Sequence, residues 1–99
     1  MYFQESGKLL MTKSDSKNSF SEYVSDPAKP VPYEEKVHFN RTRTYMSNDQ
    51  RFASRRPDVL TFQTDTLTEN VTVTGNIIAD LMTSISTTDA DFVVKIIDV

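Results

Sequence analysis

The chain has 99 residues, enough for one domain at most, and a formal net charge of −3. This small acidic excess gives no electrostatic basis for binding nucleic acid or an anionic membrane. The absence of cysteine excludes a disulfide scaffold and a thiolate metal site, and no apolar run is long enough to span a bilayer.

The first 24 residues predict a hairpin followed by another short strand. Residues 2–4 and 8–12 favour β-structure, and Gly7 between them suits a tight turn. Residues 13–19 are polar and predict a loop, whereas residues 20–24 alternate apolar and polar side chains as a strand does. Residues 2–4 are also similar to the remnant of an engineered protease site. We favour the native strand.

The middle of the chain predicts extended and irregular structure. Residues 26–32 hold three of the four prolines, which exclude a helix or a central strand and predict an extended crossing segment. Residues 33–58 are polar and charged and show no apolar stripe with a helical period. They therefore predict an ordered surface excursion.

Five arginines, interleaved with aromatic side chains, lie in this excursion. Such a pattern occurs in nucleic-acid surfaces, but Asp49 and Asp58 interrupt it and the chain is acidic overall. We expect instead that Arg51 and Arg56 form ion pairs with nearby acids, in a bidentate geometry. Nucleic acid is therefore not an expected partner.

The second half of the chain predicts further strands. Residues 58–64 begin a sheet, and apolar side chains recur at every second position of residues 71–85, as in strands with one face on a core. Gly75 predicts a bend or bulge within this run. Several short strands without a convincing helix predict an all-β fold, a sandwich or a barrel.

The last residues predict a turn at 86–90 and an apolar strand at 91–99. No turn or cap follows this strand, so we expect the chain to be the first half of a larger β domain. Strand edges around residues 71–86 and 91–99 would then lack partners, and we expect them to favour self-association.

No motif in the chain predicts catalysis. A G-x-S-x-G nucleophile turn is absent, and nothing in the sequence places a serine and a carboxylate around His38, the sole histidine. Asp89 and Asp91 supply two carboxylates, which are too few for calcium and predict a turn instead. We therefore expect no metal and no cofactor.

Three blocks, taken in their order and spacing, go beyond generic β sequence. They are residues 22–32 (EYVSDPAKPVP), residues 49–60 with DQRF and RPDVL, and residues 68–98, from TENVTVTG to DADFVVKIID. The ordered set resembles the C-terminal domain of one family of α/β-hydrolases. This family contains α-amino acid ester hydrolases, cephalosporin acylases, cocaine esterases and Xaa-Pro dipeptidyl peptidases.

The resemblance implies a galactose-binding-like jelly-roll β-sandwich with few or no helices. Residues 1–99 would be its N-terminal half, and the Ser-His-Asp triad would lie in a catalytic α/β-hydrolase domain that the chain does not contain. The chain would brace this domain in a serine hydrolase, which is an acylase, an esterase or a dipeptidyl peptidase. The matching structural motif consists of Asp26, Pro27, Asp49, Arg51, Arg56, Asp58 and Asp91.

The resemblance also implies that residues 33–48 lie towards the catalytic domain and help to wall the acyl pocket. The candidates for contact with the pocket or the domain are Phe39, Asn40, Tyr45 and Met46. The alternative for Phe39 and Tyr45 is that they pack this loop onto the sandwich. The sequence leaves open the substrate and the compartment, with a secreted or periplasmic parent as one alternative.

A second hypothesis is a free-standing β-sandwich module that binds glycans or proteins, because jelly rolls also serve as lectin domains. Its available aromatic side chains are Tyr23, Tyr33 and Tyr45, but the chain has no tryptophan.

Overall fold

The computed structural model describes residues 1–99, which divide into two units, Met1–Thr68 and Glu69–Val99. Regular structure lies only in the first unit: strands β1 (Tyr2–Phe3) and β2 (Leu9–Leu10), a 3-10 turn at Glu5–Gly7, and helix α1 (Arg51–Ser54). A small antiparallel sheet with almost no helix agrees with the expected all-β class. No helix has the length and the apolar character that a membrane span needs.

The predicted hairpin is formed by β1 and β2. Tyr2 pairs with Leu10, and Phe3 pairs with Leu9, in antiparallel register. The turn between the strands closes at Gly7, whose φ of +73° lies in the left-handed region that favours glycine. The position of glycine in the sequence therefore indicated correctly where the chain reverses.

A segment near residue 63 lies beside this hairpin. The Leu9 N–H donates to the Gln63 carbonyl at 2.9 Å, and the Gln63 N–H donates to the Gly7 carbonyl at 2.8 Å. The rings of Phe3 and Phe62 pack with their centroids 4.4 Å apart. The sheet predicted to begin at residues 58–64 is thus limited to one bridge. Residues 2–3 are part of the folded structure, which supports their interpretation as a native strand.

The predicted extended segment at residues 26–32 begins with a turn. The Lys29 N–H donates to the Asp26 carbonyl, and the Ala28 N–H donates to Oδ1 of Asp26, both at 2.9 Å. Aspartate at the first position and Pro27 at the second are the residues that this turn favours, because proline fixes φ near the required value. The segment therefore starts with a turn that the prediction of an extended crossing segment did not include.

The surface excursion of residues 33–58 contains the short helix α1, which no pattern in the sequence predicts. One turn of helix needs no repeating apolar stripe, so periodicity cannot detect it. It buries Ala53, whose N–H donates to the Gln50 carbonyl at 3.0 Å, and it is followed by a turn in which the Arg56 N–H donates to the Ala53 carbonyl at 3.0 Å.

The strands predicted at residues 20–24, 71–85 and 91–99 are not present. A strand exists only where a second strand completes its hydrogen-bond ladder, and alternation of side chains predicts the apolar face but not that partner. The bend at Gly75 is present, with φ of +85°. Residues 86–88 also bend, within the predicted turn.

In residues 71–85 of the second unit, large apolar side chains at odd positions are less exposed than those at even positions. Ile77 and Ile85, on the apolar face predicted from the sequence, are 58% and 43% exposed. Ile78 and Met82, on the opposite face, are 86% and 99% exposed. The jelly-roll sandwich that this alternation suggests remains a prediction.

Candidate functional site

Arg56 ties the proline segment to the residues that follow α1. Its guanidinium donates to both carboxylate oxygens of Asp58, from Nε at 2.8 Å and from Nη2 at 2.6 Å. Nη2 also donates to the Lys29 carbonyl at 2.9 Å. The predicted bidentate pair is therefore present, and it connects two segments that are distant in the sequence.

The ion pair changes the proton affinity of both groups. The hydrogen bond from Arg56 lowers the pKa of the Asp58 carboxyl below its ordinary value of 3.8, and the same bond raises the pKa of the guanidinium. The ion pair is thus fully charged at neutral pH.

Asp49 and Arg51 form the second predicted pair, at the start of α1. Arg51 Nε donates to Oδ2 of Asp49 at 2.6 Å, and its Nη2 contacts the same oxygen. The Arg51 backbone N–H, which has no partner within the helix, donates to Oδ1 at 2.9 Å. The side-chain hydrogen bond from Arg51 is the main reason why the pKa of Asp49 is lowered and that of Arg51 is raised.

Glu34 is the centre of a polar network within residues 33–48. Its side chain is only 4% exposed, and it is the one charged residue that the structure buries. The Thr42 hydroxyl lies 3.0 Å from Oε1 and 2.9 Å from Oε2, and the Asn48 amide donates to Oε1. A buried carboxylate is stable only with such partners, so this network defines the shape of the loop.

His38 lies at the edge of the same network, with Nε2 3.5 Å from Oε2 of Glu34. The Thr42 hydroxyl bonds to Glu34 and not to the imidazole. The loop therefore does not contain a nucleophile bonded to a base that is in turn oriented by an acid. No group of three or more His, Cys, Asp or Glu side chains is placed to hold a metal ion.

Aromatic side chains cover another part of the loop. The rings of Tyr33 and Tyr45 meet edge to face, with centroids 5.8 Å apart, and the Arg41 guanidinium carbon lies 5.6 Å from the Tyr45 centroid. Tyr45 is half-buried by these contacts. Such pairs add a modest stabilisation to the loop itself.

Three apolar side chains of the loop point away from the rest of the protein. Phe39 and Val37 are fully exposed, at 107% and 101%, and Met46 is 83% exposed. We call these three residues the apolar tip. Phe39 makes no packing contact within its own unit, and its two alternative roles both stay predictions.

The four candidate contact residues thus differ in their exposure to solvent. Phe39, Asn40 and Met46 are exposed, whereas Tyr45 packs within the loop. A groove of about 350 Å³ lies beside the network and is lined by charged and polar side chains, Glu34, His38 and Thr42 among them. This lining differs from the mostly apolar walls of typical ligand pockets.

No pattern in the sequence indicates a role for Glu34, Thr42, Asn48 or Val37. The partners of Glu34 lie 8 and 14 residues further along the chain, so no local spacing indicates them. The exposure of Val37 likewise depends on how the loop closes. Of the structural motif residues, Asp26 and Pro27 form the turn described above, and Asp91 is exposed.

Comparison with known proteins gives two matches. The model of the X-Pro dipeptidyl-peptidase C-terminal non-catalytic domain matches residues 1–99. The cocaine esterase of Rhodococcus sp. (strain MB1 Bresler) is 37% identical over 98 residues. This alignment covers 94% of the chain but 16% of the esterase, so the chain spans a small part of that relative. No solved structure matches the chain significantly.

Proposed function

Because the chain belongs to the family of X-Pro dipeptidyl-peptidase C-terminal non-catalytic domains, we propose that it is an accessory β-sandwich of a serine hydrolase. This hydrolase cleaves ester or amide bonds, either acyl groups or Xaa-Pro peptides. Residues 1–99 supply the N-terminal half of the sandwich, and a catalytic α/β-hydrolase domain supplies the reactive centre. The chain braces that domain, and residues 33–48 wall its substrate pocket.

The observation that carries this proposal is the apolar tip. Val37, Phe39 and Met46 expose large apolar side chains, whereas Thr42 and Asn48 of the same loop bond to the buried Glu34. Large apolar groups that one loop exposes to solvent suit contact with another protein domain or with a ligand. The family supplies the partner, since its non-catalytic domain is by name a companion of a catalytic one.

In the complete enzyme the serine of the catalytic domain attacks the scissile carbonyl. A histidine takes and returns the proton, and backbone N–H groups stabilise the oxyanion. The role of the present chain is to limit the space beside this centre, because a wall of apolar side chains favours apolar acyl groups and excludes water.

The rival hypothesis of a free-standing glycan-binding module gains no support from Tyr33 and Tyr45. A sugar needs a free aromatic face, and Arg41 lies over the Tyr45 ring. The edge-to-face contact with Tyr45 also engages Tyr33. We therefore favour the accessory role.

An ester assay tests this proposal. We expect the full-length protein that carries this chain to hydrolyse p-nitrophenyl esters, and the 99-residue chain alone to give only the rate of the buffer. The His38→Ala variant of the full-length protein should still turn over the ester, because His38 contacts Glu34 and no nucleophile. Turnover by the chain alone that His38→Ala abolishes would contradict the proposal.

A further inference from the structure

We draw no further inference here: the strongest candidate, the polar groove beside the network of Glu34, Thr42 and Asn48, carries nothing, because the buried carboxylate already has its hydrogen-bond partners within the loop and no buried side-chain nitrogen or oxygen is left without a partner to receive a ligand.

Discussion

At the scale of single residues, carboxylates and not apolar side chains hold the irregular segments in place. The Asp26 carboxylate accepts a hydrogen bond within a turn, and the Asp58 carboxylate accepts hydrogen bonds from the guanidinium of Arg56. The Glu34 carboxylate accepts hydrogen bonds from side chains elsewhere in its loop. The one apolar residue that the structure buries is Ala53. Charged and hydrogen-bonded contacts therefore determine the local conformation, and their strength depends on ionisation.

This dependence gives a prediction for Asp58. Its pKa is lowered in the folded state by the hydrogen bond from Arg56. A lowered pKa means that the contribution to stability is fully present above the ordinary value of 3.8 and is lost as the pH falls through the folded pKa. We expect the free energy of unfolding to fall in this acidic range. Near neutral pH, the contribution of the ion pair to the free energy of unfolding should stay constant.

The measurement is denaturant unfolding of the chain at a series of pH values, compared with Asp58→Asn. The variant should be less stable than the parent near neutral pH and should approach it at the acidic end. Asp80→Asn, which changes an exposed aspartate of the other unit, serves as the control. An unchanged difference between parent and Asp58→Asn across the acidic range would contradict the role of the ion pair.

The sequence predicted the two arginine pairs because both are local. Asp49 with Arg51, and Arg56 with Asp58, are two residues apart, and a guanidinium reaches that far in almost any backbone conformation. The network of Glu34 was not predictable in this way. Its bonds to Thr42 and Asn48 depend on the path of the intervening chain, which no propensity specifies.

At the scale of elements, the same contrast separates the hairpin from the other predicted strands. The hairpin of β1 and β2 needs one turn and partners a few residues apart, so the position of Gly7 predicts it. The strands expected at residues 71–85 and 91–99 need partners from elsewhere. Alternation identifies the less exposed face of residues 71–85 but carries no information about what pairs with their edges.

Gly7 is the residue on which the hairpin depends most. Its φ is +73°, and a Cβ at this position would lie 2.9 Å from the Thr61 carbonyl oxygen. We expect Gly7→Ala to lower the free energy of unfolding by about 1–3 kcal/mol, because backbone strain and the contact with Thr61 act together. Thermal or denaturant unfolding of the two proteins measures this difference.

Gly75 provides a matched control for that substitution. Its φ is +85°, but a Cβ there would meet nothing within 4 Å. Gly75→Ala should therefore be the milder change, since it introduces strain without a steric contact. Equal effects of the two substitutions would show that the close approach of Thr61 contributes nothing.

At the scale of the whole molecule, the amount of exposed surface is the dominant feature. In the first unit Phe20, Val24, Val37 and Phe39 are among the exposed apolar side chains. In the second unit Val73, Ile78, Met82 and Val93 are among the exposed apolar side chains. Apolar surface of this extent favours contact with other protein, either a catalytic domain or further copies of the chain.

The central claim is therefore that the exposed apolar surface of this chain is an interaction surface. Sedimentation velocity of the 99-residue chain over a range of concentrations, with unfolding measured on the same samples, tests it most directly. We expect the average mass to rise with concentration, because the apolar segments pair with those of other copies. A chain that stays monomeric at high concentration would contradict the claim.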